Sequence, residues 1–137
     1  MILFNYETNF EVKNELIINN WISKCIDVYG FSEGDLNYIF CDDAYLLKLN
    51  VEFLEHDTLT DIISFDYTLG KVISGDIFIS IERIKENATK FNQTFDNELN
   101  RVIIHGILHF IGYQDKTEEA RELMRGEENK CLALLQL

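Results

Sequence analysis

The chain has 137 residues, 47% of them hydrophobic, and a formal net charge of −12. That is enough apolar material for one sizeable core. The apolar runs are short and broken by charge, which excludes a bilayer-spanning helix, and such acidity argues against general nucleic-acid binding, so no DNA partner is expected.

The acidity is uneven: residues 1–69 carry 3 Lys/Arg against 13 Asp/Glu, and residues 70–137 carry 9 against 11. A polyanion should therefore meet the second half of the chain. Cys25, Cys41 and Cys131 are odd in number and far apart. They form no disulfide framework and read as small buried apolar residues. The N-terminus lacks a basic region and a cleavage-type site. A cytoplasmic location is expected.

Taken in order, Ile2–Glu7 reads as a strand and Lys13–Tyr29 as a helix, with Leu16, Ile17, Trp21, Cys25 and Val28 at helical intervals. Gly30 stops it, Ser32–Asp35 is a turn, and Leu36–Cys41 is a strand. Asp42 or Asp43 can cap a short helix over Ala44–Phe53. Leu54–Leu59 is a polar break containing His56. Asp61–Tyr67 and Val72–Ser80 are strands joined by a short loop, hence an antiparallel hairpin. Gly75 interrupts the second, marking a bulge or close packing. Helices follow at Glu82–Phe91, from about Asn97, and at Glu118–Leu134. This order predicts a single α/β (α+β) domain over 1–137, a mixed parallel and antiparallel sheet of about four strands packed with helices. The glutamates Glu118, Glu119, Glu122, Glu127 and Glu128 read as a solvated face of the last helix, and Phe65, Tyr67, Phe78 and Tyr113 as core or rim.

The chemistry concentrates in His105–Asp115, HGILHFIGYQD. On a helix, His105 and His109 are one turn apart and share a face. Gly112 tolerates the turn that ends helices, and a chain that doubles back there can bring Asp115 to the histidines. Two imidazoles, a carboxylate and an open position are the layout of a catalytic zinc site. The string H-G-x-x-H-x-x-G-x-x-D keeps the ligand spacing of a zinc peptidase helix, but Gly106 stands where that class needs its catalytic glutamate. Asp115 has a second reading as the N-cap of the next helix, with Glu118 at N3; Thr117 as the cap would free it.

HGILHFIGY closely resembles the HGxLHLxGYDH signature of the YbeY family of bacterial rRNA-maturation endoribonucleases. Leu49-Asn50 followed by Thr60-Asp61-Ile62-Ile63-Ser64-Phe65 resembles that family's LN…TDVLSF segment, and Gly75–Ser80 its GDIxIS strand. The resemblance implies one bound metal, usually zinc, and cleavage of single-stranded RNA. It also implies a role in small-subunit rRNA maturation and ribosome quality control, with ribosomal RNA and a ribosomal protein as partners. His105 and His109 match two family ligands. The third, a histidine in the family, is Asp115 here, a substitution that favours harder ions and weakens Lewis acidity. The family arginine thought to contact RNA phosphate falls at Leu54, which cannot bind phosphate.

No catalytic side chain is assigned beyond an activated water. His56 and Arg101 are the candidates to replace the arginine, set against plainer readings as a solvated loop residue and a helix-surface residue. Two rivals stand beside the nuclease: a ribosome-assembly factor that cleaves little, and a metal-dependent hydrolase of another substrate.

Overall fold

The computed structural model describes residues 1–54 and 59–135. Four strands, β1 (Ile2–Tyr6), β2 (Ser32–Cys41), β3 (Ile62–Asp66) and β4 (Val72–Ser80), form one sheet in the order β1-β2-β4-β3. β1 and β4 run parallel to β2, and β3 is antiparallel to β4, so the sheet is mixed and the expected hairpin is present. The helices are α1 (Glu15–Val28), α2 (Asp43–Leu54), α3 (Ile81–Lys90), α4 (Phe95–Ile111) and α5 (Glu118–Ala133).

Two expectations about the strands change. Ser32–Asp35 is not a turn but the start of β2. The Ser32 amide donates to the Lys71 carbonyl at 2.7 Å, and the register with β4 shifts between Glu33 and Leu36. The irregularity foreseen at Gly75 thus sits on the neighbouring strand, while β4 runs unbroken and Gly75 pairs with both Leu36 and Asp66. Gly75 is a point of close packing. A Cβ there would meet the Phe65 carbonyl oxygen and lie 2.7 Å from the Phe110 ring.

Alternation along the strands decides which side of the sheet is filled. Leu36, Tyr38 and Phe40 of β2 and Ile73, Ile77 and Ile79 of β4 point to the main core, where they meet Ile22 and Ile26 of α1 and Ile103, Ile104, Ile107 and Leu108 of α4. Each such side chain contributes about 1.5–3 kcal/mol by leaving water. The hydroxyl of fully buried Tyr38 donates to the Ile103 carbonyl at 2.8 Å, tying β2 to α4. On the opposite side of the sheet, Leu46 of α2 packs on Cys41 and Ile63. All three cysteines are buried and free, as their spacing implied. None of the described helices is long and apolar enough to cross a membrane.

Polar side chains mark the helix starts. Ser80, Thr94 and Thr117 accept the amides of Arg83, Asn97 and Ala120. The predicted solvated acidic face of the last helix holds at Glu118, Glu119 and Glu122, which are exposed, and fails at its C-terminal half. Glu127 and Glu128 are buried, because α5 packs along α4 and its C-terminal end reaches α1. The Trp21 indole donates to the Cys131 carbonyl at 2.7 Å and the Tyr29 hydroxyl to Glu127 Oε1 at 2.7 Å. The bond from Tyr29, with help from Lys130, outweighs burial and holds the Glu127 carboxyl below its usual 4.5.

Two measurements test this packing. Gly75→Ala should lower stability by about 1–3 kcal/mol, read as a drop in urea midpoint, because the new methyl meets backbone rather than a yielding side chain. A carboxyl held low in the folded state stabilises above its unfolded pKa, and that stability is lost as pH falls through the folded value. Urea midpoints of the wild type should therefore fall on acidification below about pH 4.5, and those of Glu127→Gln should fall less steeply over the same window.

Candidate metal centre

α4 is buried on most of its circumference, which seats it between the sheet and α5. Its exception is the strip at His105 and His109, both only partly covered. The two rings are 4.6 Å apart between centroids and nearly perpendicular, at 83°. Gly112, at φ 125°, ends the helix in a conformation that L side chains rarely adopt. Thr117, not Asp115, caps α5, accepting the Ala120 amide at 3.0 Å. Asp115 is left free to turn inward, and its Oδ2 lies 3.2 Å from His105 Nε2 and 3.2 Å from His109 Nε2.

These separations fit a cation. Two ligand atoms each about 2.0–2.1 Å from an ion and on tetrahedral corners lie about 3.3 Å apart. The donor atoms of His105, His109 and Asp115 all lie within 4.8 Å of one another, a group that can hold a metal ion. The tautomer of His105 strengthens the fit. Its Nδ1 is 2.6 Å from Glu128 Oε2. With a proton on Nδ1 for that carboxylate, Nε2 presents a bare lone pair toward the Asp115 oxygen. Lone pair facing lone pair is repulsive unless a positive charge lies between them. Without an ion, a second proton does this job. Burial disfavours the imidazolium, but Glu128, Asp115 and Asp61 outweigh it and raise the His105 pKa above its usual value.

Glu128 is the residue that sequence reasoning missed. It is 5% exposed and uses both oxygens, Oε2 on His105 and Oε1 on Arg101 Nη1 at 2.9 Å. A signal was present: Met124, Glu128 and Cys131 recur at i, i+4 and i+7, placing a carboxylate in the buried stripe of α5. Arg101 is accordingly occupied, its other nitrogen donating to Asn129 Oδ1 at 2.8 Å. His56 lies outside the described residues. Leu54 is the last residue of α2 and is exposed.

A cavity of about 390 Å³ opens over the triad, lined also by Asp61, Ser64, Glu98, Arg125 and Glu128. Asp61 faces this space, with Asn87 Nδ2 donating to its Oδ2 at 3.4 Å and burial raising its pKa. Glu98 is raised for the same first reason, with Asp61 adding to it. A second cavity of about 430 Å³ adjoins on the α5 side. Gly106 does not face either space. A Cβ there would come within 2.9 Å of Ile77 Cδ1, so the position that bears the peptidase glutamate is filled by core. Three of the four aromatics stay structural, Phe65 against Phe53 and Phe78, and Tyr113 against Tyr29, while Tyr67 is exposed.

Comparison with known proteins gives the same assignment along the whole chain. A family model described as Endoribonuclease YbeY matches residues 3–136. Proteins named Endoribonuclease YbeY from Flavobacterium johnsoniae and Cytophaga hutchinsonii are 57% and 44% identical, over 98% of this chain in both cases and 96% and 94% of theirs. The solution structure of TM1509 from Thermotoga maritima superposes with a TM-score of 0.67 at 26% identity, covering 97% of this chain and 90% of that one. A match this continuous means that the chain belongs to the YbeY family of endoribonucleases.

Proposed function

We propose that the chain is a zinc-dependent endoribonuclease of the cytoplasm. Its substrate would be single-stranded ribosomal RNA, cut during small-subunit rRNA maturation and ribosome quality control. The observation that carries this is the facing of His105 Nε2 and His109 Nε2 onto one Asp115 oxygen, with His105 Nδ1 already engaged by Glu128. Two imidazoles and a carboxylate suit zinc best among common ions, and the carboxylate leaves room for a harder one. When bound, the ion supplies Lewis acidity toward a phosphate oxygen or an attacking water or hydroxyl.

The protein's own groups have separable roles. Glu128 keeps the His105 ring in one tautomer and one orientation. Asp115 offsets cationic charge. Asp61, partly buried and with its pKa raised by desolvation, is the carboxyl in the cavity suited to hold or pass a proton. The ribosomal substrate is supported by the sequence blocks at 49–50, 60–65 and 75–80. A peptidase reading is disfavoured by the packing of Gly106 against Ile77. The exposed Leu54 favours one alternative, an assembly factor that binds rRNA or a ribosomal protein and cleaves little.

Metal content by mass spectrometry and cleavage of a single-stranded RNA should both be lost in His109→Ala. Zinc in the wild type without any cleavage would select the assembly factor, and wild-type activity independent of metal would reject the centre. A 2′,3′-cyclic phosphate product would identify the RNA 2′-hydroxyl, rather than water, as the nucleophile. Glu128→Ala should weaken zinc binding about 10–100-fold in chelator competition; a folded variant of unchanged affinity would show that Glu128 does not support the ligand.

A further inference from the structure

The cleft holding the triad is crowded with negative charge. Asp61, Glu98, Asp115 and Glu128 line it, and the only cationic side chains among its lining residues are Arg101 and Arg125. Arg101 is spent on Glu128 and Asn129. Arg125 is exposed and, among the described residues, makes no hydrogen bond or ion pair; Glu128, three residues on, is paired with Arg101 instead. It lines both cavities, so it stands on the ridge between them, beside His105 and Asp115. Arg121, one turn earlier on α5, lines the second cavity and is likewise unpaired, although Glu118 and Glu122 share that wall. Lys116 is next to Asp115 in the chain but lines neither cavity.

We infer that Arg125 is the residue that binds the RNA backbone phosphate at the metal centre, with Arg121 holding a neighbouring phosphate along the strand. This inference rests on the nuclease reading above. A divalent ion with Arg101 and Arg125 balances the four carboxylates of the cleft, so a phosphate enters a neutral site. Without Arg125 the site is net negative and repels it. The guanidinium fork can grip two phosphate oxygens, which a leucine at position 54 cannot do. Residues four apart on a helix are about 6 Å apart along its axis, a spacing on which successive phosphates of an extended strand can be met. The contact has thus passed from the position of Leu54, at the end of α2, to α5.

The test is fluorescence anisotropy of the zinc-loaded, full-length protein with a labelled 2′-O-methyl RNA single strand across a salt series. Arg125→Ala should raise Kd roughly tenfold and flatten the plot of log K against log salt by about 0.7. Arg121→Ala combined with it should flatten the plot by about 1.4. Arg125→Lys should keep the slope and lose part of the affinity. Lys116→Ala is the control for general surface charge and should change neither. An unchanged slope in Arg125→Ala, an equal effect of Lys116→Ala, or loss of zinc from Arg125→Ala would overturn the assignment. A wild type that holds zinc and binds no RNA would instead remove the nuclease reading itself, and this inference with it.

Discussion

The site depends on how closely α4 can lie on the sheet. Two glycines set that distance from opposite sides. Gly75 on β4 leaves space for the Phe110 ring, and Gly106 on α4 leaves space for the Ile77 methyl groups. With both contacts made, the face of α4 bearing His105 and His109 borders the cavity that Asp61 and Ser64 of the β3 edge also line. The imidazoles are therefore held by backbone packing, not by a loop, and packed interiors resist small displacements. The turn at Gly112 then has only a short path to cover before Asp115 meets the two rings.

Electrostatics explains why this packing is not sufficient alone. An imidazole fixed only by its helix can still present either nitrogen. The buried carboxylate of Glu128 removes that freedom at His105, and Arg101 in turn orients Glu128. Such a chain of charges is costly to bury unless each member is bonded to the next. Here both oxygens of the carboxylate are engaged. Local stability and chemical function coincide in these side chains, so the interface of α4 and α5 belongs to the site as much as to the core.

Most of this was readable in the chain itself. The alternation of strand residues and the helical spacing of apolar ones located the elements, and the i,i+4 histidines with a glycine turn located the candidate ligands. Asp115 carried two readings, and only the position of Thr117 at the start of α5 separated them. Three features escaped. Ser32–Asp35 looks like a turn because its residues are polar and include Gly34, yet a neighbouring strand fixes it as β. Gly75 escaped only in part: of the bulge and the close packing it offered, the close packing is present, against a ring from a helix 35 residues onward. The glutamates of α5 look solvated because their partners, Tyr29, Arg101 and His105, are distant in sequence. Local periodicity registers an element's own pattern; it does not register which distant side chain demands an exception.

The attachment of α5 has a consequence for how the protein comes into being. All three candidate ligands have been synthesised once residue 115 is made, but the carboxylate that orients His105 arrives thirteen residues later. It is fixed in place when α5 docks through Trp21 of α1 and Tyr29 at that helix's C-terminal end. A nascent chain emerging N-terminus first thus carries the ligands for a time without their support. A product truncated before α5 would retain the motif by which the chain is recognised, yet lack the means to aim it. The candidate centre is assembled by the closing of the chain on itself, which delays its maturation until α5 has emerged.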